Sequence, residues 1–152
     1  GCQNPPAHPT HMIIGLGAMR RRNEEMPRGP ARDRAERQLV TFAAELNKAV
    51  RTTMSWATGL EDYQVVTITG AGIEAGCDPS NDFLTGVATE RGRCTLTQQS
   101  VLHAGATHAL QLEISLRLRQ RLVRQPAAIA QLAQTLNSCF LRAIRSGPNP
   151  EP

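Results

Sequence analysis

An α/β fold, with a sheet flanked by helices in a three-layer-like arrangement, is what this sequence predicts, and three observations predict it. MIIGLG (12–17) and VVTIT (65–69) are short apolar or β-branched runs closed by glycine or polar residues, the pattern of buried strands. Leu39, Phe42, Ala43, Leu46 and Val50 recur at helical spacing between them. ALQLEI (109–114) then supplies a third strand, and a long apolar-striped segment follows it. Strands separated by amphipathic helices define α/β layering.

The elements follow in order. GCQNPPAHPTH (1–11) is proline-rich and polar and reads as a loop leading into the first strand. Residues 19–31 carry many charges with Pro27, Gly29 and Pro30, and read as an exposed connection or insertion. Asp33 is a reasonable N-cap for a helix running to about Val50. Gly59 marks a break before the second strand. A glycine-rich turn, GAGIEAG, and a polar loop with Pro79 come after it, and 84–104 carries no clear periodicity. Ser115 is placed to cap a short helix, LRLRQRLVR, and Pro126 opens a last helix with Ile129, Leu132, Ala133, Leu136, Phe140 and Ile144 on one face. Residues 1–146 read as a single domain and 147–152 as a disordered tail. Three strands make a thin sheet, and the chain starts with Gly1 rather than Met, so part of a larger domain is expected to be missing.

Composition narrows the function classes. The 152 residues suffice for one core, and 40% hydrophobic with 20% charged is ordinary for a globular protein. No apolar run approaches the ~20 residues that span a bilayer. The net charge of +4 comes from arginine, with seven arginines against four acids between Arg20 and Arg37. This stretch could meet a polyanionic partner, and a solvated face is its plainer reading. Aromatics are 3% and do not interleave with the cations, which argues against nucleic acid. Cys2, Cys77, Cys94 and Cys139 have neither C-x-x-C spacing nor a disulfide-framework density, so free thiols in a reducing compartment such as the cytoplasm are expected. A monomer is expected.

VVTITGAGIEAG looks first like a nucleotide site. Gly70, Gly72 and Gly76 give G-x-G-x-x-x-G, one residue longer than the dinucleotide fingerprint, and Cys77-Asp78-Pro79 opposes a continuing helix. TGAGI also resembles the opening motif of sirtuins, the NAD-dependent deacylases, but Glu74 stands where that family has Ser, and CDPSNDF keeps only its Asp-Phe. An NAD-binding domain is therefore one alternative, and a non-catalytic interaction domain is another.

A second resemblance covers more of the chain. Gly1-Cys2 in a loop, HMIIGLG, the helix near 33–50, AGCDPSN (75–81), ALQLEIS (109–115) and Leu118-Arg119 occur in the order found in the C-terminal half of phage-type poly-γ-glutamate hydrolases. These zinc enzymes have a carboxypeptidase-like fold. The resemblance implies an incomplete domain of that fold, acting when complete on poly-γ-glutamate or a γ-glutamyl peptide. It implies Glu113 as general base, with Asp78, Asn81 and Arg119 contacting substrate. The chain departs from the family at GLG, which replaces a Gly-Gly pair, and at Asp82-Phe83, where an Asn-Arg is usual. The family's metal-binding His-Gly-Gly-x-Ile-Glu has no counterpart here, because Thr69 occupies the place its His would need before GAGIEAG. Zinc ligands are thus expected upstream, none within this chain, and the chain alone is expected to be inactive.

Glu113 has a plain alternative as the outward residue of a half-buried strand, since it alternates with Leu112 and Ile114. Asp78 and Asn81 flank Pro79 and equally suit a self-contained Asx turn. Arg117, Arg119 and Arg121 cannot share one helical face, so at most one or two reach a substrate. His8 and His11 are expected in an exposed loop, and His103 and His108 flank Gly105 with no ligand spacing.

Overall fold

A computed structural model describes residues 10–55, 64–69 and 96–145. They form strands β1 (Thr10–Gly15), β2 (Gln64–Thr69) and β3 (Gln111–Ile114), and helices α1 (Gly17–Glu25), α2 (Pro30–Thr53), α3 (Leu96–Leu102), α4 (Leu116–Val123) and α5 (Pro126–Arg145). This is a mixed α/β fold in which helix predominates over a small sheet.

The sheet order is β2-β1-β3, with β1 parallel to β2 and antiparallel to β3. The apolar run around MIIG takes the centre because it is the strand with no polar face to offer water. Met12, Ile13 and Ile14 are all fully buried, as is Leu16 just beyond it. Met12, Ile14 and Leu16 join Leu39, Phe42, Leu46 and Val50 of α2 and Leu132 and Cys139 of α5 in one core. Leu112 and Ile114 of β3 pack against the same core. Side chains alternate along a strand, so His11, Ile13 and Glu113 belong to the opposite sheet face.

Four local expectations require correction. The 19–31 segment is not wholly an exposed connection: helix α1 occupies 17–25, with Gly17, Ala18, Met19 and Asn23 buried. Its outer charges pair one turn apart, Arg20 with Glu24 at 3.3 Å and Arg21 with Glu25 at 3.1 Å, which is how a charge-rich segment holds a helix. Helix α2 starts at Pro30 rather than behind Asp33. Gly29 is its N-cap at φ +146°, a backbone region nearly confined to glycine, and proline suits the first helical position. The third strand begins at Gln111, not Ala109. Finally, α5 is rotated from the expected face. Ala128, Leu132 and Cys139 are buried with Leu136, Phe140 and Ala143 beside them, while Ile129 and Ile144 are 46% and 55% exposed. The apolar stripe of α5 is wider than the seam it fills, and the small residues Ala128 and Cys139 are among those it buries.

No helix among the described residues is long and apolar enough to cross a membrane.

Candidate functional site

The antiparallel register sets the site. His11 lies across from Ser115, because β1 and β3 pair Met12 with Ile114, Ile13 with Glu113 and Gly15 with Gln111. Directly opposed residues share a face, so His11, Ser115, Glu113 and Gln111 form a polar row around Ile13 on the sheet face away from the α2–α5 core.

Ser115 ties three elements together at one end of this row. Its N–H donates to the His11 carbonyl at 2.8 Å, continuing the β1–β3 ladder. Its Oγ accepts the Leu118 N–H at 3.2 Å, capping α4 as its position after the strand predicts. The same Oγ lies 2.7 Å from His11 Nδ1. A serine hydroxyl has one proton and two lone pairs, so it serves both partners at once. His11 and Ser115 are 3% and 8% exposed, so the pair is a buried tie and not a nucleophile within reach of a substrate. His11 is therefore not the exposed loop histidine its proline-rich flank implies; it lies within β1, in phase with Ile13. Replacing Ser115 with Ala removes the cap and one partner of His11. A loss of roughly 1–3 kcal/mol in folding stability is expected, and urea unfolding with an unchanged midpoint would contradict this account of the tie.

Glu113 is half-buried at the middle of the row. Gln111 Nε2 donates to its Oε1 at 3.0 Å, orienting the carboxylate from two residues away on the same strand face. Beside it is Ile13, from which water is fully excluded. The Gln111 amide thus fixes one carboxylate oxygen on the face shared with Ile13.

Of the other predicted site residues, only Arg119 lies among the described residues, and it is not beside Glu113. Arg119 is exposed on α4, in a shallow groove of about 360 Å³ with Leu116, Gln120, Val123 and Arg124, which Glu113 does not line. Asp78 and Asn81 lie outside the described residues, as do GAGIEAG, His8, Cys2, Cys77 and Cys94. Cys139 is a buried free thiol. Among the described residues no group of three or more His, Cys, Asp or Glu is placed to hold a metal ion. The described part of this chain does not by itself fit a zinc centre.

His108 is a second unusual position. Its ring meets Phe42 edge-on at 5.3 Å and Phe140 at 6.3 Å, and Phe42 meets Phe140 at 5.5 Å. Burial, and secondarily the positive charge of Arg22, push the imidazole below its ordinary pKa of 6.5. Arg22 is itself half-buried, donating to the Thr107 carbonyl at 2.8 Å and Asn23 Oδ1 at 3.1 Å. Above pH 6.5 the ring is neutral in folded and unfolded chains alike. As pH falls through that value the unfolded chain takes up a proton that the folded chain resists, so stability declines and then levels off below the folded-state pKa. His108→Gln is expected to flatten this acid-side slope in pH-dependent urea unfolding; an unchanged slope would show that His108 does not contribute.

Comparison with protein-family models, curated proteins and solved structures gave no match for this chain.

Proposed function

We propose that this chain is the C-terminal portion of a zinc-dependent hydrolase with a carboxypeptidase-like α/β domain, cleaving the γ-glutamyl amide bonds of poly-γ-glutamate or a γ-glutamyl peptide. The observation that carries the reading is Glu113: a half-buried carboxylate on QLEIS, oriented by Gln111 beside fully buried Ile13. In this reading Glu113 takes a proton from the attacking water as the water oxygen bonds to the γ-carbonyl carbon. It returns that proton to the departing α-amine as the C–N bond breaks. Zinc supplies Lewis-acid activation when bound, and its ligands belong to sequence upstream of Gly1. Asp78, Asn81 and Arg119 contact the substrate, with Arg119 meeting a pendant carboxylate.

Sequencing the coding region upstream tests the class. A His immediately before Gly1 and a His-Gly-Gly-x-Ile-Glu further back are expected; an upstream region without either removes the zinc-hydrolase reading.

A second reading has one observation in its favour. β1 and β2 are parallel and end side by side, Gly15 beside Thr69, and in the sequence a glycine stands close after each of these ends. Nucleotides bind at the carboxyl ends of parallel strands. The glycine spacing is one residue too long for that chemistry, so no NAD binding is expected by calorimetry; micromolar binding would establish the nucleotide reading instead.

A further inference from the structure

On the helical side of the molecule, α2 and α5 leave two adjoining hollows along their seam. The smaller, about 220 Å³, has Phe42 and His108 in its wall and Arg34 and Arg37 at its rim. The larger is open, about 930 Å³, and carries Lys48 and Arg142. Glu45 lines both. Arg34, Arg37, Lys48 and Arg142 form no ion pair with a described residue, whereas Arg20, Arg21 and Arg32 each have a glutamate one turn away. Arg142 reaches only the Cys139 sulfur, at 3.5 Å. Apart from Ala49, the other described lining residues of the larger hollow carry amides or hydroxyls, including Gln131, Gln134, Thr52 and Ser138, and none is aromatic.

Among the described lining residues, four cations stand against one acid, a balance that selects a polyanion. Side-chain amides and hydroxyls both donate and accept, so they match the N–H and C=O groups of a polyamide backbone. Single-stranded nucleic-acid tracks instead use successive aromatic platforms on which the bases stack. From Arg34 to Thr53 the helix rises about 28 Å, the span of about eight residues of an extended α-linked chain. We propose that the α2–α5 seam is a binding track for an extended acidic polyamide, its pendant carboxylates taken by Arg34, Arg37, Lys48 and Arg142. The track shares its ligand class with the function proposed above, yet it lies across the sheet from Glu113 and does not depend on turnover.

Fluorescence anisotropy with labelled oligomers of about ten glutamates, γ-linked in one arm and α-linked in the other, tests it on the full chain. Binding is expected in the γ-linked arm at least, weakening as ionic strength rises above about 0.1 M. Binding by γ-linked oligomers alone identifies poly-γ-glutamate as the source; equal binding identifies acidic peptides generally. Lys48→Glu/Arg142→Glu should weaken binding at least about tenfold, because charge-assisted pairs are lost and repulsion replaces them. Arg21→Glu/Arg28→Glu makes the same charge change at exposed positions off the seam and outside the groove of Arg119 and should weaken it less than about threefold. The loss caused by Lys48→Glu/Arg142→Glu should be the same in a Glu113→Gln background, so a failed hydrolase reading and a failed track are distinguished. Equal losses in the two double variants, tighter binding of a single-stranded oligonucleotide, or no binding in either arm would overturn the proposal.

Discussion

Replacing Glu113 with Gln in the full-length protein is expected to lower hydrolysis of γ-linked glutamate by ~10²–10⁴, the usual range for loss of a general base. Glutamine keeps the shape and can still take part in hydrogen bonding with Gln111, but it no longer accepts a proton from water. Stability should barely change, since the position is half-buried and its neighbours Leu112 and Ile114 retain their contacts with the core. Zinc affinity should be retained as well, because this glutamate is not proposed as a ligand. Parallel measurements of turnover, zinc content and unfolding separate the roles. Full activity in the Gln variant would leave Glu113 as an ordinary residue of a half-buried strand. Loss of activity together with unfolding would assign it to the sheet and not to catalysis.

The largest stability effect is expected at the central strand. Ile14 is fully buried in β1, in register with Ile68 of β2 and Leu112 of β3, and belongs to the core built with α2 and α5. Ile14→Ala removes several buried methyl and methylene groups and leaves a cavity that strands paired on both sides cannot collapse, a cost of about 2–5 kcal/mol. Against a total of about 5–15 kcal/mol, this variant would be close to unfolding. Ile144→Ala makes the same chemical change on the exposed side of α5 and should cost less than about 1 kcal/mol. Urea unfolding of the pair tests both the central position of β1 and the rotation of α5. Equal costs at the two sites would contradict the assigned core.

Most of the framework was legible because its signals are local and repeated. The β-branched run at 65–69, the apolar run around MIIG and the alternation in QLEI each specify a strand, and all three strands form. Ser115 behind QLEI specifies the cap of α4, which it makes. Helix α1 was hidden because most of its outward residues are charged; the signal available was the one-turn spacing of Arg20 to Glu24 and Arg21 to Glu25. Gly29-Pro30 likewise announces the start of α2 better than Asp33 does, through a glycine-only backbone angle and a proline at the first helical position. The face of α5 was misplaced because Ile129 and Ile144 are larger apolar side chains than Ala128 and Cys139, yet it is the smaller pair that the structure buries.

The site was less legible because it depends on pairing between distant strands. Glu113 stands out from its apolar neighbours, but no local pattern says that His11 will lie across from Ser115, 104 positions away. That contact requires the β1–β3 register. In hindsight, His11 shares strand phase with Ile13, and Ser115 shares it with Glu113, so a register based on burying Met12 and Ile114 together would have brought the pair into contact.

The most direct measurement of the central claim is product analysis by mass spectrometry after the zinc-loaded full-length protein is incubated with γ-linked and α-linked glutamate oligomers. The proposed reading predicts shortening of the γ-linked oligomer, each cleavage adding one water across an amide bond, with the α-linked oligomer left intact and a chelator stopping the reaction. An intact γ-linked oligomer under conditions where the protein is folded and holds zinc would contradict it.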